Sequence, residues 1–367
     1  MSDLTFSVTE AERLPDADRE AILAAPGFGN YFTDHMVSII WTKDGGWHDA
    51  EVLPYGPIPM EPAAAVLHYG QEIFEGLKAY RHADGSVKAF RPLDNARRLN
   101  ESARRMALPA LPEDLFLEAI KQLVAIDERW VPSGDDQTLY LRPFMIADEN
   151  FLGIRAAERV RFMVIASPAG AYFKGGVTAV SIWLSQDLAR AGHGGTGAAK
   201  CGGNYAASLL PQTVAYEHGC QQVLFTDSNT EDTIDELGGM NLVLVRSDNT
   251  IITPELNGNI LDGITRRSLI QLARDRGYTV EERPVTVTEW REGAASGLVT
   301  EAFACGTAAV ITPIRELKSE SFTIDFGDAA PGEFTMSLRA ELTGIQYGAV
   351  ADRHGWISEL VPAPVAA

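Results

Sequence analysis

One lysine in this sequence lies in surroundings that could turn its amine into a nucleophile. Lys200 is flanked by glycine, alanine and cysteine, and it is the only charged residue between Ala191 and Pro211. The chain has seven lysines against twenty-four arginines, so a lysine in such a segment is not needed for solubility. Apolar surroundings lower the pKa of an amine, and a neutral amine can form a Schiff base with an aldehyde. The residues alone leave a second interpretation open, in which Lys200 extends past its small neighbours into water.

Several other motifs that carry chemistry are absent from the sequence. The residues before Lys200 lack the Gly-Lys-Ser/Thr of a phosphate-binding loop, and no Gly-x-Gly-x-x-Gly opens a helix after a strand. The seven histidines show no His-x-x-x-His spacing, and there is no Gly-x-Ser-x-Gly turn. We therefore expect no metal site, and neither a nucleotide-binding loop nor a serine hydrolase is favoured.

The composition predicts a globular protein of a reducing compartment. Its 50 acidic and 31 basic side chains give a net charge of −19, which argues against nucleic-acid or anionic membrane partners. The three cysteines offer neither a disulfide framework nor a Cys-x-x-Cys pair. Since the first twenty residues lack a signal pattern and no apolar run is long enough to cross a membrane, we expect a cytoplasmic protein.

The elements that must position Lys200 alternate between helix and strand, which predicts a mixed α/β or α+β fold of two domains. Glycines at both ends of residues 170–176 predict an interdomain loop, with an N-terminal domain at 1–169 and a C-terminal domain at 177–367. Apolar and capping patterns predict helices at Gly70–Tyr80, Asp94–Leu108, Glu113–Glu128, Asn204–His218 and Thr265–Arg276. Strands are predicted at Met36–Trp41, Val87–Phe90, Thr138–Ile146, Val160–Ser167, Val177–Leu184, Gln222–Thr226, Asn241–Arg246, Thr250–Ile252, Val280–Val287 and Val299–Ile311.

Several separated segments, read together, resemble the branched-chain amino acid aminotransferases. The segments that carry the resemblance are Phe74-Glu75-Gly76-Leu77-Lys78-Ala79-Tyr80, Phe90-Arg91-Pro92 with Asn95 to Leu99, Lys200-Cys201-Gly202-Gly203-Asn204-Tyr205, Glu236-Leu237-Gly238-Gly239-Met240-Asn241, Leu261-Asp262-Gly263-Ile264-Thr265-Arg266 and Gly306-Thr307-Ala308. The similarity extends from about Phe32 to Tyr347, and motifs in a fixed order are more specific than any one motif.

The resemblance implies a fold-type IV pyridoxal-phosphate enzyme. Such enzymes have a smaller N-terminal α/β domain, a larger pseudo-barrel C-terminal domain carrying the lysine, and the cofactor between the two. The implied reaction is ping-pong transamination of leucine, isoleucine and valine with 2-oxoglutarate, which gives branched 2-oxo acids and glutamate. A homodimer is also implied.

The resemblance also assigns roles to cofactor-binding residues. Lys200 matches the lysine that binds the cofactor aldehyde and moves the substrate proton, Tyr205 the phenol at the 3′ oxygen, and Glu236 the carboxylate at the pyridine nitrogen. The phosphate is assigned to Arg98, Ile264, Thr265 and Thr307. The residues alone favour other interpretations: Tyr205 as core packing, Glu236 on a solvated acidic face, and Arg98 in helical ion pairs around Glu101.

For the substrate, the resemblance points to an aliphatic pocket and a carboxylate site. The pocket walls would be Phe32, Tyr69, Phe74 and Tyr140, although aromatic residues more often simply fill a core. Arg142, with the amides of Thr307 and Ala308, would orient the α-carboxylate.

Two departures from the family pattern affect these expectations. Gly239 stands where many relatives have threonine, so a hydroxyl near the cofactor or substrate is lost. Ala309 and Thr312 replace a Cys-x-x-Cys pair found in some animal members, so no thiol switch of that kind is expected. The alternatives within the fold are a D-amino-acid aminotransferase and an aminodeoxychorismate lyase. Outside that class, a non-enzymatic binder of pyridoxal phosphate and an ordinary α/β protein without a cofactor are further alternatives.

Overall fold

The computed structural model describes residues 4–170, 177–327 and 330–364, which divide into two compact units. The first unit contains 4–170, Ala199–Gly202 and 344–364, and the second contains 177–198, 203–327 and 330–343. The predicted interdomain loop lies, except for Gly170, outside the described residues. The domains 1–169 and 177–367 stay a prediction, from which the compact units differ: Lys200 and residues 344–364 group with the first unit.

A mixed sheet forms the centre of the first unit. Its strands are β1 (Ser7–Val8), β2 (His35–Thr42), β3 (Gly46–Pro54), β4 (Glu72–Phe74), β5 (Leu77–Arg81), β6 (Val87–Phe90), β7 (Thr138–Ala147), β8 (Arg159–Ala169) and β18 (Ile357–Val361). Among the described residues the order is β1-β3-β2-β8-β7-β5-β6-β18, with β4 paired to β7. The helices of this unit are α1 (Asp16–Ala24), α2 (Ala65–Tyr69), α3 (Pro92–Arg105) and α4 (Glu113–Ile126), followed by a 3₁₀ turn at Glu128–Trp130.

Helices α3 and α4 cover this sheet because each has one apolar side. Leu99 and Ala103 of α3 are fully buried, as are Phe116, Ile120 and Leu123 of α4. They join one cluster with the inward side chains of the strands, and this core holds both helices against the sheet.

The second unit is built around another mixed sheet. Its strands are β9 (Val180–Ser185), β10 (Gln222–Thr226), β11 (Ile234–Leu237), β12 (Asn241–Arg246), β13 (Thr250–Pro254), β14 (Thr279–Arg283), β15 (Val299–Gly306), β16 (Val310–Lys318) and β17 (Thr323–Asp325). Its helices are α6 (Ile264–Asp275) and α7 (Val287–Ser296), while α5 (Gly202–Glu217) and α8 (Glu333–Gln346) each have one end in the first unit. Over the described residues the strands follow the order β11-β10-β9-β16-β15-β12-β13-β14, with β17 beside β16.

The mixed α/β fold class and most of the predicted elements are confirmed, but the helix predicted at Gly70–Tyr80 is wrong. Residues 72–74 and 77–81 are strands that pair with β7. Ile73 and Leu77 are both buried, so the four-residue spacing that suggested a helix also fits two short strands interrupted near Gly76.

Several boundaries also differ from the prediction, and four of them change how an element begins or ends. Helix α3 begins at Pro92, so Asp94 lies in the first turn and pairs with Arg91 instead of capping the helix. Helix α5 begins at Gly202, and Asn204 binds Thr196 from within the first turn. The long strand predicted at Val299–Ile311 is a hairpin of β15 and β16, because the residues around Thr307 form its turn. The strand predicted at Val280–Val287 ends at Arg283, and helix α7 starts at Val287.

Among residues 4–170, 177–327 and 330–364, no helix is both long and apolar enough to cross a membrane.

Candidate active site

Lys200 lies two residues before α5, in a segment that β4 and α3 hold by backbone hydrogen bonds. The Lys200 carbonyl accepts a hydrogen bond from the Phe74 amide at 2.9 Å. The Lys200 amide donates to Oγ of Ser102 at 2.9 Å. The side-chain Nζ lies 4.5 Å from the centre of the Phe74 ring. The backbone on either side of the lysine side chain is therefore fixed, and the amine lies over an aromatic surface.

The surroundings of the Lys200 amine favour its neutral form. Burial, and after it the positive charge of Arg98, lowers the pKa of Lys200 from 10.5 to about 8, while Glu75 acts in the opposite direction. With this pKa about one-tenth of the amine is deprotonated at pH 7, compared with less than about one-thousandth for an exposed lysine. The prediction of a neutral, nucleophilic Lys200 therefore gains a physical basis, and the interpretation as a solvated loop lysine is not supported.

A buried ion pair lies close to this amine. Arg98 donates from Nε and Nη2 to the two carboxylate oxygens of Glu75, at 2.7 and 2.8 Å, and Asn95 donates to the same carboxylate at 2.7 Å. Burial alone would raise the pKa of Glu75, but Arg98, helped by Lys200 and Asn95, holds it below its usual range. Arg98 is therefore paired with Glu75 and not with Glu101, which corrects the ion-pair alternative considered from the sequence.

A cavity of about 210 Å³ opens beside Tyr140 and Arg142. Its walls are Phe28, Gly29, Phe32, Tyr140, Arg142, Ile165, Ala166 and Ser167. Arg142 donates to the Tyr140 hydroxyl at 3.0 Å, and its guanidinium lies 4.7 Å from the centre of the Phe74 ring. Its Nε is buried and forms no hydrogen bond within the described chain. The cavity thus combines apolar walls with one cation, which is the composition expected for binding an aliphatic acid.

The position of Tyr140 depends on Gly76. A side-chain carbon at residue 76 would overlap the Tyr140 hydroxyl. The Tyr140 ring also forms an edge-to-face contact with Phe28, at 5.1 Å between ring centres. The glycine of the Phe-Glu-Gly motif therefore serves the cavity, because it leaves space for the tyrosine that forms one wall.

In the second unit, Glu236 lies on β11 with its carboxylate fully enclosed. Arg190 pairs with it at 2.9 Å, and the side chains of both residues are 3% exposed. Asn241 donates to Oε2 at 3.1 Å, and the Leu261 amide donates to Oε1 at 3.0 Å. Such a set of donors stabilises a carboxylate as an anion. The interpretation of Glu236 as part of a solvated acidic face is wrong, since it lies on a buried strand.

The remaining predicted cofactor residues also lie in the second unit. Ile264 and Thr265 are the first two residues of α6, whose free backbone amides and dipole favour an anion. Thr307 and Ala308 lie in the turn between β15 and β16. Tyr205 is the fourth residue of α5. A side-chain carbon at Gly239 would lie 3.7 Å from the Tyr205 ring, with no other described atom beyond its chain neighbours within 4 Å.

Of the four predicted pocket walls, Phe32 and Tyr140 line this cavity, whereas Phe74 and Tyr69 do not, and three further residues were not predicted. Phe28 at the cavity, Glu75 beside Arg98 and Arg190 beside Glu236 were not identified as site residues. Tyr69, predicted as a pocket wall, does not line this cavity; it is 42% exposed and donates a hydrogen bond to the Leu152 carbonyl. Of the residues that were not predicted, only Glu75 belongs to a motif that the sequence analysis had noted, Phe-Glu-Gly.

Comparison with known proteins gives one consistent result. A family described as amino-transferase class IV matches residues 72–317. The branched-chain-amino-acid aminotransferase of Mycolicibacterium smegmatis is 58% identical over 349 residues, which cover 94% of this chain and 95% of that protein. The crystal structure of the Escherichia coli branched-chain amino acid aminotransferase has a TM-score of 0.73 at 27% identity, covering 88% of this chain and 99% of that one. The Thermobaculum terrenum branched-chain amino acid aminotransferase in its PLP form has a TM-score of 0.71 at 27% identity, covering 88% and 98%.

With a family match over most of its length and a relative more than half identical, this chain belongs to the class IV aminotransferases, in the branched-chain amino acid aminotransferase family.

Proposed function

We propose that this protein transfers the amino group of leucine, isoleucine or valine to 2-oxoglutarate, with pyridoxal 5′-phosphate held at Lys200. The observation that supports this most is the Lys200 amine, whose pKa is lowered to about 8 close to a cation and an apolar cavity. Its relatives bear the name of this activity. A cytoplasmic homodimer belongs to the same proposal, and the buried, unpaired thiols are compatible with a reducing compartment.

The residues present fit the cofactor. The aldehyde needs a neutral amine, which Lys200 supplies, and a protonated pyridine nitrogen needs a fixed anion. Glu236 supplies that anion, held by Arg190, Asn241 and the Leu261 amide. Pyridoxal phosphate, when bound, supplies an electron-withdrawing ring that acidifies the α-hydrogen of the substrate. Nζ of Lys200 would take that proton from the substrate α-carbon and deliver it to C4′ of the cofactor, since a group with a pKa near the working pH can do both.

The phosphate would be held by Arg98, the amides at the start of α6 and Thr307. Arg98 already gives Nε and Nη2 to Glu75, which fixes the plane of the guanidinium. The Tyr205 hydroxyl is assigned to the 3′ oxygen. These assignments rest on the family resemblance together with the local chemistry of each residue.

The substrate side chain would occupy the cavity between Phe28, Phe32 and Tyr140. Arg142, and the amides of Thr307 and Ala308, would bind the α-carboxylate. Phe74 would hold the Lys200 amine away from water. Apolar contact distinguishes one methylene by only about 1–3 kcal/mol, so leucine, isoleucine and valine should all be accepted.

Turnover of a panel of L- and D-amino acids with 2-oxoglutarate tests the proposal. We expect the branched L-amino acids to be the best donors, and borohydride should fix the cofactor on the peptide that contains Lys200. The Lys200→Ala variant should retain less than about 10⁻⁴ of the turnover, because the nucleophile and the proton carrier are lost together. A preference for D-amino acids, or an adduct on another residue, would refute the proposal.

A further inference from the structure

Glu72 is a carboxylate beside the lysine segment to which the proposed function gives no role. It lies on β4, two residues before Phe74 and three before Glu75. Its Oε1 accepts a hydrogen bond from the backbone amide of Gly202, which is the first residue of α5 and lies two residues after Lys200. Strand β4 makes a second hydrogen bond to residues 200–202, from the Phe74 amide to the Lys200 carbonyl. Strand β4 therefore binds the lysine segment at two successive points.

The carboxylate of Glu72 can approach the amide of residue 202 because that residue is glycine. A side-chain carbon at residue 202 would overlap Oε1 of Glu72. The amide itself is one of the first in α5 and has no partner within the helix, so an acceptor must come from elsewhere. A carboxylate suits this position because it also interacts favourably with the positive end of the helix dipole.

The same carboxylate lies in the electrostatic range of Arg142. Burial raises the pKa of Glu72, whereas the Gly202 hydrogen bond and the positive charge of Arg142 lower it. The Gly202 hydrogen bond and the charge of Arg142 thus only partly offset the burial of this carboxylate, and the pKa of Glu72 stays above its usual value.

We propose that Glu72 is a positioning residue, which holds the Gly202 amide and so fixes where the Lys200 amine lies. This inference rests on the proposed function, because a fixed amine matters most for a lysine that takes and returns a substrate proton. Glu72 touches neither substrate nor cofactor in this role; it acts through the backbone of residues 200–202. A shift of the reacting amine by about 1 Å is enough to lower the rate on the order of 10²-fold.

Two substitutions separate the hydrogen bond from the charge. Glu72→Ala removes both, and Glu72→Gln keeps an oxygen that can accept from the Gly202 amide. We expect Glu72→Ala to lower kcat on the order of 10²-fold with a change in KM for leucine below about threefold, and Glu72→Gln to restore kcat to within about tenfold of the wild type. The exposed Glu101 of α3, as Glu101→Gln, is the matched control. Unchanged kcat in Glu72→Ala, or an equal loss in Glu72→Gln, would overturn the proposal.

A measurement on the apoprotein tests the contact without turnover. Hydrogen exchange of the Gly202 amide should be at least about tenfold faster in Glu72→Ala than in the wild type and close to wild type in Glu72→Gln, because a hydrogen-bonded amide exchanges only when the bond opens. Exchange of the same rate in all three proteins would overturn the proposal. If the wild type lacks transaminase activity but the exchange result holds, the proposed function fails and the anchoring contact does not.

If Glu72→Ala does not fold, Gly202→Ala provides the second variant. Its methyl group would push the carboxylate from the amide while leaving Glu72 in place, and it should lower kcat by a similar factor. Full activity of Gly202→Ala would contradict the anchoring role.

Discussion

The amine of Lys200 should titrate differently from the other lysines of the chain. Only the neutral amine is acylated, so the labelling rate rises with pH and levels off above the pKa. We expect the rate for Lys200 to reach half of its maximum near pH 8 in the apoprotein, because burial lowers its pKa to about 8. The exposed Lys43, whose pKa Glu158 raises, is the internal control and should still be gaining reactivity above pH 10. Competitive acylation followed by peptide mass spectrometry measures both, and a midpoint above pH 10 for Lys200 would contradict the desolvated environment.

The pair formed by Arg190 and Glu236 should be strongly coupled. Arg190→Met leaves the enclosed carboxylate without its cation, which we expect to cost about 3–5 kcal/mol of unfolding free energy. Glu236→Gln in the same background should cost much less than it does alone, since the carboxylate has then already lost Arg190. Urea denaturation of the apoproteins in a double-mutant cycle measures the coupling. Additive losses would show that the two side chains do not depend on one another.

At the scale of elements, the interruption between β4 and β5 should decide how well the cavity holds a substrate. Gly76→Ala forces the Tyr140 hydroxyl to move, so we expect KM for leucine to rise on the order of tenfold, with a smaller effect on kcat. Gly56→Ala is the control, because a side-chain carbon there would meet no atom within 4 Å. Steady-state kinetics of both variants with leucine give the comparison. An unchanged KM in Gly76→Ala would mean that Tyr140 is not a wall of the substrate pocket.

The order of the elements was largely accessible from the sequence, whereas the contacts between them were not. Long periodic segments such as Glu113–Glu128 and continuous apolar strands such as Gln222–Thr226 were predicted because burial dictates their pattern. The segment Gly70–Tyr80 was misjudged because short paired strands and one helical face can bury the same residues. The partners Arg190 and Phe28 could not be predicted, since tertiary pairing alone brings them to Glu236 and Tyr140.

At the scale of the whole molecule, all three thiols should be protected in the native protein. Cys201, Cys220 and Cys305 are free and buried. Burial raises the pKa of Cys220, and it raises that of Cys305 to about 12, so little thiolate forms near neutral pH. We expect a disulfide reagent such as dithionitrobenzoate to find no fast-reacting thiol in the native protein and all three after addition of guanidinium chloride. One fast thiol in the native state would show that its segment opens readily.

The edge strand β18 has a consequence for how the chain is made. It pairs with β6 through contacts such as Ile357 with Phe90, so the first sheet receives its last strand from the far end of the sequence. At about 5–20 residues per second, a nascent chain waits on the order of tens of seconds between the emergence of β6 and that of its neighbour. Throughout this interval the hydrogen-bonding groups of one β6 edge are open to other strands. Biogenesis should therefore be sensitive to chaperones throughout this interval, until β18 has left the ribosome and pairs with β6.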